Sequence, residues 1–190
     1  QLTLESLLYA LLLESANDAA AAIAIEIGGS IEGFAAMMNS KARELGLENT
    51  SFTNPHGLDN ENHYTTASDL ALIARCALED EDFAHIVSTR QKIIQVMNDS
   101  SVRYLTNHNK LLRLYDGAIG VKTGFTKKSG RCLVSAAERE GVRLIAVTLN
   151  APNDWDDHER MLDYGFSQIE RVSLCKSGDY NLTVPIISGS

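Results

Sequence analysis

A lysine followed by a threonine and a glycine, Lys122-Thr123-Gly124, carries the first candidate chemistry in this sequence. The triplet lies inside AIGVKTGFT, where apolar and β-branched residues between turn signals predict a β-strand. A lysine and a threonine side by side offer a positive charge and a hydroxyl donor to an anion such as a carboxylate. A nucleotide-binding P-loop is disfavoured, because that motif has a glycine directly before its lysine and here Val121 intervenes.

A second candidate is the triplet Ser15-Ala16-Asn17, which lies much earlier in the chain between two helical patterns. Alone, a serine and an asparagine at such a position are typical helix caps. Together with the later K-T-G the triplet gains a second meaning, because S-x-x-K, S-D-N-type and K-T-G motifs are the parts of β-lactamase and penicillin-binding sites. The two triplets therefore indicate an acyl-transfer cleft.

The likeness extends well beyond the two triplets. About residues 1–170 of the chain resemble the serine-type D-alanyl-D-alanine carboxypeptidases, the low-molecular-mass penicillin-binding proteins. The stretches that carry the resemblance are ESANDAAAAIAIEIGGSIEGFAAMMNSKARELGLENTSFTNPHGLD, TTASDLALIARCAL, TNHNKLL and GVKTGFTKKSGRCLVSAAER. The resemblance implies an α+β fold of the β-lactamase and penicillin-binding-protein type.

The resemblance also implies a reaction and a role for each triplet. A serine of these enzymes is acylated by the penultimate D-Ala of a peptidoglycan stem pentapeptide, the terminal D-Ala leaves, and water then frees the enzyme. By this resemblance, Ser15 would bridge two lysines of the site and relay a proton to the leaving amine. Asn17 would hydrogen-bond the peptide group of the substrate.

The K-T-G strand would bind the other end of the substrate. The resemblance implies that Lys122 places positive charge near the terminal carboxylate, that Thr123 hydrogen-bonds it, and that Gly124 leaves the strand edge open for an extended peptide. Phe125 stands where many relatives carry other residues such as histidine, which leaves the substrate preference open. The expected ligands are peptides ending in D-Ala-D-Ala and β-lactams as covalent inhibitors, with no cofactor and no metal.

The nucleophile of this family belongs to an S-x-x-K tetrad that precedes S-x-N. The one S-x-x-K in this sequence is Ser173-Leu174-Cys175-Lys176, which follows K-T-G in a strand-like tail, so we interpret it as a coincidence. We expect the nucleophile, its lysine and the first part of the fold to lie outside this chain. We therefore expect no turnover from these 190 residues alone.

Three helices are predicted before residue 47. Thr3 is placed to cap the first, Asn17 or Asp18 the second and Ser30 the third, because such side chains accept hydrogen bonds from first-turn amides. Gly46 is placed to end the third helix.

The remaining patterns predict a long loop, two more helices and then a sheet. Residues 47–65 have turn residues and no period, which is typical of a functional or disordered loop, and Thr66 with Asp69 forms a capping-box pattern. DFAHIVS predicts a short helix, QKIIQVM and VRYLTNH a hairpin around NDSS, and AIGVKTGFT, GRCLVSAAER and VRLIAVTLN three antiparallel strands. A helix expected to cover that sheet is marked by Trp155, His158, Met161, Leu162, Phe166 and Ile169.

The expected organisation is a partial catalytic domain over residues 1–171, followed at 172–190 by a tail or the start of a small β-rich domain.

The net charge of −8 and the pI of about 5.1 argue against nucleic-acid binding. Cys76, Cys132 and Cys175 form no CxxC pair, so neither a zinc site nor a disulfide framework is predicted. The resemblance implies an extracytoplasmic location, with a signal peptide upstream and peripheral membrane anchoring through segments outside this chain.

Several other polar residues are weaker candidates. His56 and Asp59 lie in the long loop and are interpreted as part of its structure, and His108 in TNHN is a candidate for the cleft wall. Arg160 and His158 are candidates for binding a carboxylate, although a helix surface explains both. The alternatives left open are a β-lactamase or D,D-endopeptidase on the same fold, and an inactive homologue that only binds cell-wall peptide or another partner.

Overall fold

The computed structural model describes residues 2–96 and 101–170 together with Val172. The expected α+β fold is confirmed, with a helical block followed by an antiparallel sheet and a covering helix. The elements are α1 (Leu4–Glu14), α2 (Asn17–Gly28), α3 (Ile31–Glu44), α4 (Ala67–Ala77), α5 (Glu81–Ser88), β1 (Gln91–Gln95), β2 (Val102–Thr106), α6 (Leu111–Leu114), β3 (Ala118–Thr126), β4 (Gly130–Arg139), β5 (Val142–Thr148) and α7 (Asp154–Ser167).

Local capping signals mark where most of the first helices begin. The Thr3 hydroxyl accepts the Ser6 N–H at 3.1 Å, and the Ser30 hydroxyl accepts the Gly33 N–H at 2.9 Å, so both predicted caps are confirmed. Gly46 has a φ of 73°, a conformation that favours glycine, and it follows Leu45, the C-cap of α3.

The predicted cap of α2 is wrong. This helix already begins at Asn17, its N-cap is Ala16, and no side chain caps it. The reason is that α1 ends at Glu14 with Ser15 as its C-cap, so only two residues, Ser15 and Ala16, separate the two helices. The carboxylate of Asp18 accepts only the N–H of its neighbour Ala19, at 2.9 Å.

The loop at 47–65 is anchored by the buried side chain of Asp69. Thr66 accepts the N–H of Asp69 at 3.1 Å, as a capping box requires. The Asp69 carboxylate is turned toward the loop, where it accepts the Asn49 N–H at 3.1 Å and the Thr50 hydroxyl at 2.7 Å. The loop therefore has no regular secondary structure but does have defined anchors.

The strand patterns form two separate sheets in the described part of the chain. β1 pairs with β2 as the predicted hairpin, whose turn at 97–100 lies outside the described residues. The second sheet has the order β3-β4-β5, and all its pairs are antiparallel, which confirms the prediction. Because β3 stands at the edge of this order, one side of the strand that carries Lys122 is open.

Helix α7 covers one face of this sheet. Its Leu162 is 1% exposed and packs with Leu133, Ala137 and Ala146 of β4 and β5. Ile169, which the helical pattern included, lies beyond the last residue of the helix. In the described part of the chain no single helix is long and apolar enough to cross a membrane, and α2 with α3 passes that test only as a pair bent by 81°.

Candidate active site

Ser15 and Lys122 contact each other across the boundary between the helical block and the sheet. Ser15 follows α1 in a left-handed conformation with φ of 57° and ψ of 40°, and its N–H is tied to the carbonyls of Ala10 and Leu11. The Lys122 ammonium donates one hydrogen bond to the Ser15 hydroxyl and another to the Thr123 carbonyl, the latter at 2.7 Å. The structure therefore brings together two of the residues chosen from the sequence.

The environment of Lys122 lowers the proton affinity of its side-chain amine. Burial lowers the pKa of Lys122 from 10.5 to about 8, because the surrounding protein atoms disfavour the charged form. Among the described residues no carboxylate forms an ion pair with it. Lys122 is still mainly protonated at neutral pH, so it presents an uncompensated positive charge at the site.

The strand edge beside Lys122 is open to an extended peptide. Thr123 and Gly124 line a cleft of about 510 Å³ that also includes Ser15. A Cβ added at Gly124 would meet the Cβ of Cys132 at 3.7 Å, an ordinary contact, so packing within the sheet does not itself demand glycine there. Gly124 is itself among the residues that line the cleft.

Asn17 takes a different position from the other predicted site residues. It is the exposed first residue of α2 and is absent from the lining of the cleft beside Ser15. The structure thus joins Ser15 with Lys122, Thr123 and Gly124, and the predicted contact of Asn17 with the substrate stays a prediction.

A buried ion pair at the far side of the cleft was missed by the sequence reasoning. Asp154 is 2% exposed as a residue, and its carboxylate accepts hydrogen bonds from Arg131 Nε at 3.1 Å and from Nη2 at 2.9 Å to each oxygen. Its Oδ1 also accepts the Trp155 N–H at 3.0 Å. The register of β3 and β4 places Arg131 at the cleft, because Arg131 pairs with Phe125, the residue directly after the K-T-G triplet. This register is the signal that could have identified Arg131.

Asp59 links the long loop to the end of the K-T-G strand. Its Oδ1 accepts the hydroxyls of Thr126 at 2.8 Å and of Ser129 at 3.2 Å, in the turn between β3 and β4. His56 makes a local contact, accepting the Leu58 N–H at 3.4 Å. These contacts agree with the interpretation of both residues as loop structure.

The three remaining candidates lie in three different places. His108 lines the cleft, as proposed from TNHN. His158 is wrong as a carboxylate ligand, because it is 0% exposed and lies between Ser135, at 2.5 Å from Nδ1, and Thr148, at 2.9 Å from Nε2. Burial lowers the pKa of His158 from 6.5 to about 4, so it is a neutral core residue. Arg160 lies on the exposed side of α7 and does not line the cleft.

No group of three or more metal-ligating side chains occurs among the residues that the structure describes. The site instead consists of two hydroxyls, one lysine of lowered pKa and an open strand edge. Such a set can bind an extended peptide, hold its carboxylate and pass a proton between neighbouring groups.

Comparison with known proteins places this arrangement in a family. The family model described as D-alanyl-D-alanine carboxypeptidase matches residues 1–153. D-alanyl-D-alanine carboxypeptidase DacF of Bacillus subtilis is 37% identical over 192 residues, an alignment that covers 100% of this chain and 49% of DacF. The chain thus spans about half the length of this relative.

Solved structures show the same fold. The crystal structure of a Streptomyces DD-transpeptidase is 36% identical with a TM-score of 0.83, and the match covers 87% of this chain and 68% of that one. A penicillin-binding protein homolog of Mycobacterium tuberculosis is 35% identical with a TM-score of 0.82, covering 90% of this chain and 67% of that one. Sequence, fold and the cleft around Ser15 and Lys122 agree, and the chain belongs to the D-alanyl-D-alanine carboxypeptidase family.

Proposed function

We propose that this chain supplies part of the active site of a serine-type D-alanyl-D-alanine carboxypeptidase, a penicillin-sensitive hydrolase that removes the terminal D-Ala from peptidoglycan stem peptides. The observation that carries the proposal is the contact between Lys122 and Ser15 at the open edge of β3. Membership of the carboxypeptidase family supports the same reaction.

The proposed reaction uses these residues for binding and proton transfer. A serine hydroxyl from an S-x-x-K tetrad adds to the carbonyl of the penultimate D-Ala, and the bond to the terminal D-Ala nitrogen breaks. The serine proton passes by way of the tetrad lysine and Ser15 to the leaving amine, and water then hydrolyses the ester. Ser15 is held for this relay by its hydrogen bond from Lys122.

Lys122 and Thr123 bind the carboxylate end of the peptide in this proposal. The Lys122 charge is half-buried, and a charge–charge interaction gains strength where water is partly excluded. The Thr123 hydroxyl lines the same cleft and donates a directional hydrogen bond. The free edge of β3 pairs with the backbone of the substrate, which aligns the scissile bond with Ser15.

Labelling with a fluorescent penicillin tests this proposal. The protein expressed from the complete reading frame that contains these residues is expected to form a stable covalent adduct, whereas the 190-residue chain is expected to form none. Failure of the complete product to label would favour the alternative of an inactive homologue that only binds cell-wall peptide. Rapid turnover of the penicillin, with no stable adduct, would instead indicate a β-lactamase.

We also propose that the protein works outside the cytoplasmic membrane, since peptidoglycan peptides are its substrates there. Peripheral membrane anchoring through segments outside this chain belongs to the same proposal. Cell fractionation combined with protease treatment of intact spheroplasts tests the location. Full protection of the protein from external protease would contradict this proposal.

A further inference from the structure

Three cationic side chains line one wall of the cleft. Lys110 and Arg113 come from the segment around α6, and Arg131 comes from the start of β4. One carboxylate at the end of a D-Ala-D-Ala peptide is already provided for by Lys122 and Thr123. The positive charge on this wall therefore exceeds what a single terminal carboxylate requires.

Both acidic side chains that line the cleft, Glu14 and Asp154, already have hydrogen-bond partners in the protein. Glu14 Oε1 accepts the backbone N–H of Thr106 at 3.0 Å, and the Asp154 carboxylate is paired with Arg131. Asp154 thus neutralises Arg131. Among the described residues, neither Lys110 nor Arg113 lies within ion-pair distance of a carboxylate.

Trp155 gives this wall an aromatic surface. The Lys110 ammonium lies 5.9 Å from the centroid of its ring, and the Arg131 guanidinium carbon lies 5.6 Å from it. The Trp155 side chain packs against the core cluster that contains Leu133 and Leu162, and its backbone N–H donates to the buried carboxylate of Asp154. A packed ring beside the Lys110 ammonium is a suitable surface for a peptide that carries a carboxylate on an aliphatic segment.

This wall lies further along the strand than the reacting end of the site. Ser15 contacts Lys122, whereas Arg131 pairs with Phe125, nearer the end of β3. A peptide extended along the edge of β3 would therefore pass from the Ser15 hydroxyl to the cationic wall within one continuous cleft.

We propose that Lys110, Arg113 and Trp155 form a second anion-binding subsite, which binds a carboxylate of the substrate peptide other than its terminal one. The proposal rests on the proposed function, since it concerns the same cleft. The ligand is a peptide with an additional free carboxylate, on either the acyl side or the leaving side of the scissile bond. An arginine recognises such a group through paired donors and a lysine through its charge.

Two matched pairs of peptides test the subsite on the protein from the complete reading frame. The first pair carries a γ-linked D-glutamyl residue on the acyl side, with its free carboxylate either intact or amidated. The second pair ends in D-Ala-D-Glu or D-Ala-D-Gln. The readout is KM where the peptides are hydrolysed, and the calorimetric dissociation constant where they are not, so that a failure of catalysis remains distinguishable from a failure of this subsite.

In at least one pair the acidic peptide is expected to bind about tenfold more tightly than its amide twin, the ratio that one charge-assisted contact typically supplies. The Lys110→Met and Arg113→Gln double variant is expected to abolish that ratio while leaving the amide twin unaffected. Unchanged values for the amide twin also report that the variant is folded, and each single variant is expected to lose part of the ratio.

Lys127→Met and Lys128→Met together make the matched control. These two exposed lysines lie on the turn after β3, outside the cleft lining, so their loss changes the net charge equally. The control is expected to keep the tenfold ratio. A wild-type protein with no preference in either pair, or a preference that survives the Lys110 and Arg113 substitutions, would overturn the second subsite.

Discussion

The ammonium of Lys122 donates a hydrogen bond to the hydroxyl of Ser15, which lies 107 positions earlier in the chain. The bond joins the end of a helix to the edge strand of a sheet. It also combines a lysine whose pKa is lowered by burial with a hydroxyl that can accept and pass on a proton. This contact is the structural basis of the proton relay that the proposed function assigns to the two residues.

Removing the Ser15 hydroxyl should slow acylation. Ser15→Ala deletes both the relay group and the hydrogen-bond partner of Lys122, so we expect the second-order rate of penicillin acylation to fall by about 10²–10⁴, the usual contribution of positioned proton transfer. Stopped-flow measurement with a fluorescent penicillin gives this rate. Ser40→Ala, an exposed serine on α3, is the matched control and should acylate at the wild-type rate.

The lowered pKa of Lys122 predicts an alkaline limit of activity. As the pH rises through about 8, the ammonium loses its proton, and attraction of the substrate carboxylate is lost with it. We expect kcat/KM to fall above that pH, and Lys122→Arg to shift the fall to higher pH because arginine stays charged. Lys127→Arg serves as the control, and an unshifted profile in Lys122→Arg would argue against this assignment.

The lowered pKa of the buried His158 leads us to expect a loss of stability in acid. Its pKa is about 4 in the folded protein and 6.5 ordinarily, so between these pH values the unfolded chain binds a proton that the folded protein does not. The contribution of neutral His158 to the free energy of unfolding should be fully present above pH 6.5. As the pH drops to 4, the free energy of unfolding should fall by about 3 kcal/mol. Urea unfolding of the complete product across this range measures it.

The matched comparison for this acid effect is between two histidines. His158→Gln should flatten the dependence between pH 4 and 6.5, whereas His85→Gln, at an exposed position on α5, should leave it intact. A slope that is unchanged in His158→Gln would assign the acid effect to other groups.

Breaking the ion pair of Arg131 and Asp154 should be costly. The Asp154 side chain is 3% exposed, so Arg131→Met leaves a buried carboxylate without a partner, and we expect a loss of about 3–5 kcal/mol in unfolding free energy. Lys41→Met breaks a pair whose side chains are both 62% exposed and should change the unfolding free energy far less. Similar losses in the two variants would contradict the buried character of the pair.

The sequence predicts most of the local structure because its signals are local. Thr3, Ser30 and Gly46 act within one helical turn, and the alternating strands of the sheet are joined by short turns that leave one arrangement for their order. The predicted cap of α2 is wrong, since the end of α1 at Glu14, with Ser15 in a left-handed conformation, is set by backbone geometry that residue types alone do not reveal.

The site is only partly accessible from the sequence. Ser15 and Lys122 were found because their motifs resemble a known family, whereas the pair of Arg131 and Asp154 depends on the register of β4 and the start of α7. His158 looked available for ligand binding because a helical pattern does not tell whether its inner face meets a cleft or the core.

The measurement that tests the central claim most directly is the release of D-Ala from a diacetyl-L-Lys-D-Ala-D-Ala peptide by the protein from the complete reading frame. We expect one equivalent of D-Ala per peptide, inhibition of that release by penicillin, and a large loss of the rate in Ser15→Ala. A protein that penicillin labels but that releases no D-Ala would contradict the carboxypeptidase assignment. Undiminished release by Ser15→Ala would contradict the proton relay assigned to Ser15 and its contact with Lys122.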